Sequence, residues 1–531
     1  AAAVAAECQR WLGWLDVADR LAEDREQLDE LRQDVADAGF VDAVLAGMGG
    51  SSLCPDVLRA TFGRSGSGPD LRVLDSTDPS TIAAVEHAID LERTLFLIAS
   101  KSGGTLETLS HYRYFWNRVE GAEPADGGVG ARFLAITDDG SALRQSAEEH
   151  DFGWIFLNPE DIGGRYSALS YFGMVPATVM GLDVAGLLGR AVAMGERCRE
   201  TDPAANPGLL LGAVLGAAAV AGRDKVTIVC SPAIATFGMW LEQLLAESTG
   251  KQGKGIVPVE SEPLGGPASY GADRLFVHLR VPGDGTPTSA GASRAGAGAG
   301  AGTAGIALST SDQDAALDRL RDAGHPVLTI ELAGTLDLGG EFLRWEVATA
   351  VAGAMLEINP FDQPNVQESK DNTKALLQRL AETGDFGVDA GPGTPDQAAG
   401  LVDTLGPGDY FAILAYTQPG PEIDALLERI RLAVRDRHGV ATTAGYGPRY
   451  LHSTGQLHKG GPNSGAYLIL GDERGHDLPI PGERFGFKTL IAAQWAGDLK
   501  SLRDHGRRVA LVRLGEDREA TLGGVLAAVG G

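Results

Sequence analysis

The sequence predicts an α/β protein: two doubly wound parallel-sheet domains followed by a C-terminal α/β section. Three observations carry that expectation. Short, uninterrupted apolar runs recur along the chain, helical patterns separate them, and glycine- and serine-rich loops follow the earliest runs directly. Strands that are apolar at every position are buried on both faces, the signature of a parallel sheet covered by helices.

The first forty residues read as helix, with Trp11, Trp14, Leu15 and Leu21 at helical spacing among acids. The first domain is expected over 41–205. Ala43-Val44-Leu45-Ala46 leads into Gly47-Met48-Gly49-Gly50-Ser51-Ser52, Thr94 to Ala99 into Ser100-Lys101-Ser102-Gly103-Gly104-Thr105, and Phe133 to Ile136 into Thr137-Asp138-Asp139-Gly140. A second domain over 206–390 is expected to hold strands at Val226 to Val229, Leu275 to Val277 and Val327 to Ile330, with a helix from Glu341 to Ile358. Within it, Gly283 to Gly305 is almost all Gly, Ala, Ser and Thr and reads as a disordered surface insertion, having little to bury. The Pro- and Gly-rich residues 391–408 read as a linker, and the last section, 409–531, as α/β with strands near 410–416, 466–470 and 508–513.

Composition narrows the function. The net charge of −26, from 45 basic and 71 acidic residues, would repel a phosphate polymer, so nucleic acid is excluded as a partner. A small anion must then be held by a local positive site. No apolar run approaches the roughly 18 residues a membrane span needs, and no membrane partner is expected. The four cysteines are widely spaced with no C-x-x-C, which fits a reducing cytoplasm and gives no zinc cage. The chain opens at Ala1 rather than Met, as expected of one trimmed or excised from something longer.

Ser100 to Thr105 sits where a buried strand ends and a helix begins. Free backbone N–H groups and the positive helix end favour an anion there, hydroxyls add donors, and Lys101 can add charge. Taken alone, the segment also reads as a simple turn with a serine cap. Gly47 to Ser52 repeats the arrangement one strand earlier, and the two loops together point to a crevice at the carboxyl ends of one sheet.

Five segments in order resemble the phosphoglucose isomerase family. Gly47-Met48-Gly49-Gly50-Ser51 is similar to its first sugar loop, and Ser100 to Thr105 to its phosphate loop. Gly163-Gly164-Arg165-Tyr166-Ser167 is similar to the segment carrying its arginine, and Gln243 to Lys251 to the one carrying its base. Phe361-Asp362-Gln363-Pro364, with Lys370, resembles its glutamine–lysine segment. The resemblance implies two sugar-isomerase (SIS-type) domains, a sugar-phosphate substrate, no cofactor or metal, and a homodimer. Leu451 to Pro462 and Phe485 to Asp498 resemble the isomerase half of bacterial bifunctional transaldolase/phosphoglucose isomerases; the chain holds no residues left over for a transaldolase barrel, so it reads either as that half, fused to a transaldolase domain in the native polypeptide, or as a single-function relative.

The resemblance also assigns roles. Glu247 is expected to be the base that moves a proton between C2 and C1, a task suited to a carboxylate whose pKa is raised by an apolar wall. Gln243, four residues earlier, shares its helical face. Arg165 is expected to stabilise the enediolate oxygens. His452 and Lys370 would open the sugar ring. Gly50, Ser51, Ser100, Lys101, Ser102, Thr105, Gly164 and Gln363 would bind substrate. One departure stands out: the family's histidine normally lies between base and lysine, but Gly265 to Tyr270 holds none, and His278 falls inside an expected strand. The role therefore passes to His452, after Lys370, with His458 as the alternative. The whole predicts interconversion of glucose 6-phosphate and fructose 6-phosphate. A broader phosphoglucose/phosphomannose isomerase and a non-catalytic SIS module remain as other readings. An amidotransferase fused to SIS domains is disfavoured, because Cys8 lies within a helical stretch.

Overall fold

Parallel pairing governs every sheet of the protein. The computed structural model describes residues 7–66, 68–122, 128–283, 308–389 and 391–530. Among them, thirteen strands form three sheets of five, four and four. The first holds β1 (Asp42–Gly47), β2 (Asp70–Leu74), β3 (Thr94–Ala99), β4 (Phe133–Asp138) and β5 (Trp154–Asn158) in the order β2-β1-β3-β4-β5. The second holds β6 (Lys225–Cys230), β7 (Val257–Val259), β8 (Arg274–Arg280) and β9 (Val327–Glu331), ordered β7-β6-β8-β9. The third holds β10 (Tyr410–Tyr416), β11 (Ala441–Tyr446), β12 (Gly465–Asp472) and β13 (Arg508–Leu514), ordered β11-β10-β12-β13. All three begin on one plan, with the first strand flanked by the second and third.

The continuous apolar runs have a direct cause. In β1 and β3, Ala43, Leu45, Leu95, Leu97 and Ala99 enter the core shared with the second sheet's helices. The alternate residues, Val44, Ala46, Phe96 and Ile98, enter a second core on the opposite face. Each successive side chain is buried, so no polar position interrupts the run. The strands that sequence reasoning did not anticipate, β2, β5, β7 and β11, all lie at sheet edges. There a strand pairs on one side only, and polar or short segments suffice.

Several expectations need correction. The linker over 391–408 contains a helix, Asp396–Val402, whose Ala398, Leu401 and Val402 are buried in the core of the third sheet. Its Pro and Gly residues flank that helix. The N-terminal helix is broken: single turns at Gln9–Trp11 and Gly13–Leu15 precede helices Val17–Glu23 and Glu26–Ala38. Gly13 lies against Asp161, donating its N–H to the Asp161 carbonyl at 3.2 Å. The helix expected from Glu341 runs Leu338–Met355. The expected insertion over 283–305 lies, from residue 284 on, outside the described residues.

The third unit docks on the first through buried charge. Arg449, just beyond β11, places Nη2 at 2.9 Å from Asp56 and Nε at 2.6 Å from Asp75. Burial pushes the Asp75 carboxyl up, although Arg449 opposes it; at Asp56 burial is outweighed by Arg59 and Arg449 together, which hold the pKa low. Removing one partner of a buried pair strands the other charge, at a cost of about 3–5 kcal/mol. Arg449→Met is therefore expected to lower the free energy of unfolding by a matching amount, read as a lower midpoint of urea unfolding at an unchanged slope. A midpoint equal to that of the parent would show that these ion pairs do not secure the third unit.

Candidate active site

The sheet order of the first unit fixes where a ligand can enter. In the order β2-β1-β3-β4-β5, β1 and β3 are neighbours whose connections leave in opposite directions, which opens a crevice at their carboxyl ends. Gly47 pairs in register with Ala99, so the two glycine loops start level on either side of that crevice. The helix Leu106–Gly121 begins at the second loop with no side chain capping its N-terminus, leaving first-turn amides for an anion. Ser100 Oγ donates to Thr105 Oγ1 at 3.1 Å, while Ser102 and Gly104 are exposed at the mouth. Lys101 is not turned to this cradle. Its ammonium pairs with Asp138, donates to the Glu160 carbonyl at 3.0 Å and lies over the Trp11 ring. Asp138 ends the adjacent strand β4 and competes for the charge.

The glycines of the first loop are required by contact. Gly49 has φ +57°, and a Cβ there would meet the His452 carbonyl at 2.7 Å and Gln243 Nε2 at 2.8 Å. A Cβ on Gly50 would stand 1.9 Å from the Gly164 carbonyl, so the loop lies directly on the segment carrying Arg165. Ser51 is buried in the same turn, with its N–H on the Met48 carbonyl.

Arg165 is 2% exposed and almost fully committed. Its Nε donates to Ser248 Oγ at 2.8 Å, and Nη2 to the carbonyls of Pro360 and Asp362 at 2.6 and 2.9 Å. Nη1 donates to Gln363 Oε1 at 2.8 Å and lies 3.4 Å from Glu247 Oε1. The Nη1 edge is thus the part of the guanidinium that faces Gln363 and Glu247.

Glu247 stands near the end of the helix Phe237–Thr249. Gln243, one turn earlier, donates from a single Nε2 to Glu247 Oε2 at 3.0 Å and to the His452 carbonyl at 2.8 Å. A guanidinium and an amide therefore adjoin Glu247 where an apolar wall was expected. The helix stops at Gly250, where a Cβ would meet Leu457 Cα at 2.3 Å, so the third unit packs directly on the helix end. Lys251, next in the chain, donates to the carbonyls of Asn359 and Asp362 at 2.6 and 2.5 Å and pairs with the Asp362 carboxylate. Burial, with Arg165 nearby, pulls its pKa down to about 7.

His452 meets an acid that sequence reasoning missed. Its Nε2 lies 3.1 Å from Oε1 of Glu107, in the first turn of the helix after the phosphate loop. Burial would raise the Glu107 pKa, but His452, the residue's own amide and the charge of Lys370 outweigh it, bringing the pKa to about 2. With Nε2–H facing a carboxylate, Nδ1 is left for another partner. Lys370 is half-buried on the helix Pro364–Thr383, with no ion-pair partner within reach among the described residues. His458 lies elsewhere, 2% exposed among the rings of Tyr410, Tyr450 and Tyr467. Its pKa is pushed well down by burial and by Lys459 and Arg507. His278 is buried within β8. The only local sign of Glu107 was an acid in a helix's first turn, which ordinarily reads as a partner for the helix dipole.

Two parallel α/β units with a switch-point crevice of uncapped helix amides, beside which a carboxylate, a guanidinium and an imidazole converge, define the class of α/β protein whose site can hold a small anion and carry protons. Residues 19–270 match the family model for phosphoglucose isomerase, a span that includes both glycine loops, Arg165 and Glu247. The chain is 33% identical over 392 residues to the glucose-6-phosphate isomerase of Rubrobacter xylanophilus, an alignment covering 68% of this chain and 88% of that one. It is 27% identical over 353 residues to that of Methanocaldococcus jannaschii, covering 64% and 85%. A hypothetical protein from Thermus thermophilus superposes with a TM-score of 0.56 at 26% identity, over 69% of this chain and 90% of that one. The chain belongs to the phosphoglucose isomerase family.

The Glu107 contact has a measurable pH signature. A carboxyl lowered from 4.5 to about 2 on folding contributes stability that is complete above the ordinary value and is lost as pH falls towards 2. Glu107→Gln is therefore expected to lower the urea midpoint at pH 7 and to converge on the parent protein near pH 2. A constant difference across that range would contradict the assignment.

Proposed function

We propose that the protein interconverts glucose 6-phosphate and fructose 6-phosphate by opening the sugar ring and passing through a cis-enediolate. The observation that carries this reading is the convergence of Glu247, Arg165, Gln363 and the His452–Glu107 pair beside the phosphate cradle, all within one chain. The cradle after β3 takes the phosphate on helix amides and hydroxyls. His452, oriented by Glu107, passes a proton at the ring with Lys370. Glu247 then removes the C2 proton and returns it to C1, while the Nη1 edge of Arg165 faces the oxygen that gains negative charge. Gln363 orients substrate. The glucose-6-phosphate isomerases among the relatives support the choice of substrate.

We propose further that the chain is of the type fused to a transaldolase. Support comes from the resemblance over Leu451 to Pro462 and Phe485 to Asp498, segments that lie together in the third unit. A homodimer is also proposed on family grounds. The four cysteines carry no disulfide, and among the described residues no helix is long and apolar enough to cross a membrane; both fit a cytoplasmic location.

Glu247→Gln is expected to keep sugar-phosphate binding and to lower kcat by about 10²–10⁴, with exchange of solvent deuterium into C2 falling in parallel. His452→Ala should slow turnover of the closed-ring sugar while largely sparing exchange on an acyclic analogue. Turnover should also survive EDTA, since Arg165 supplies the positive charge. Near-parent kcat in Glu247→Gln, or activity lost in EDTA and restored by Zn²⁺ or Mn²⁺, would refute this reading.

A further inference from the structure

Glu107 does not hold His452 alone. The oxygen that faces His452 Nε2, Oε1, also accepts from Gln494 Nε2 at 2.8 Å, and Gln494 Oε1 in turn accepts from Thr77 Oγ1 at 2.6 Å. Gln494 is 2% exposed and Thr77 0%. Gln494 comes from the helix Phe487–Asp504 of the third unit, Thr77 and Glu107 from the first, and His452 again from the third. The series Thr77–Gln494–Glu107–His452 therefore crosses the junction between units at each step.

Each link constrains the next. A carboxylate can only accept, so Glu107 turns the NH₂ end of Gln494 towards itself, and the Oε1 end is left to accept from the Thr77 hydroxyl, which holds the amide in place. The carboxylate, held from this side, presents Oε1 to His452 in a single orientation. Four residues on, Asp498 of the same helix accepts from Tyr450 Oη at 2.6 Å and pairs with Lys459 at 2.6 Å. Those contacts fasten the segments on either side of His452, so one face of one helix holds both members of the pair.

We infer that Gln494 is a positioning residue for the ring-opening step: clamped by Thr77, its amide sets the Glu107 carboxylate and, through it, the imidazole of His452. The inference rests on the reading of His452 given above. It predicts that the amide matters more to ring opening than to the enediolate step, because Glu247 and Arg165 bond to no side chain of this series; Gln243 ties Glu247 only to the backbone carbonyl of His452.

The test combines kinetics with histidine NMR. Gln494→Leu removes the donor at similar volume, Thr77→Val removes the hydroxyl at nearly constant shape, and Thr77→Ser restores it. Gln494→Leu and Thr77→Val are expected to lower kcat on closed-ring glucose 6-phosphate by about 10–100-fold, the scale of a misplaced catalytic group. KM and deuterium exchange on an acyclic aldose phosphate should change less than about twofold. Thr77→Ser should recover most of the loss. The ¹⁵N spectrum of His452 should show the Nε2–H tautomer in the parent and in Thr77→Ser, and a tautomer mixture in Thr77→Val. Equal losses on both substrates, or an unchanged ¹⁵N spectrum in Thr77→Val, would overturn the inference. If the parent protein itself fails to turn over closed-ring glucose 6-phosphate, it is the function reading that falls; the ¹⁵N comparison still decides whether Thr77 and Gln494 orient His452.

Discussion

The charge that Arg449 carries into the protein interior is the constraint on which the site depends. A guanidinium removed from water must find anions, and Asp56 and Asp75 of the first unit supply them. His452 lies three residues further along, so neutralising this charge and delivering the imidazole are one event. Arg165 does the equivalent work between the first and second units, where Ser248 and the 360–363 segment absorb its donors. Both cations join units, with Glu247 beside Arg165 and His452 three residues beyond Arg449.

Much of the fold was legible because buried strands in parallel sheets write themselves as apolar runs. β1, β3, β4, β6, β8, β10 and β12 all read this way. Four of the six edge strands do not: Asp70–Leu74, for example, alternates polar with apolar residues, and Val257–Val259 is only three residues long. The helix Asp396–Val402 was hidden for a different reason. Pro and Gly on either side of it look like a flexible connector, and its burial against β12 and β13 is a tertiary effect.

The site was legible to the degree that its groups lie in local motifs. Arg165 after two glycines, Gln243 and Glu247 one turn apart, and His452 in its own motif are each recognisable within a few residues. Glu107, Gln494 and Thr77 are not, because what marks them is a contact over 345, 387 and 417 positions of chain. Lys101 shows the opposite error. Its position in the loop suggested an anion partner, yet the nearest strand end offers a carboxylate that claims it.

The shared strand plan of the three sheets separates chemistry from chain order. Each unit builds its own sheet, while the hydrophobic cores run across the junctions, and Glu247, Arg165 and the His452–Glu107 pair are brought together because the units dock, not because their segments follow one another. Segments far apart in the chain, such as those carrying Glu107 and His452, can therefore meet whatever their order. Because those cores span the junctions, no unit completes its packing alone, and the site stands or falls with the docking rather than with any single unit.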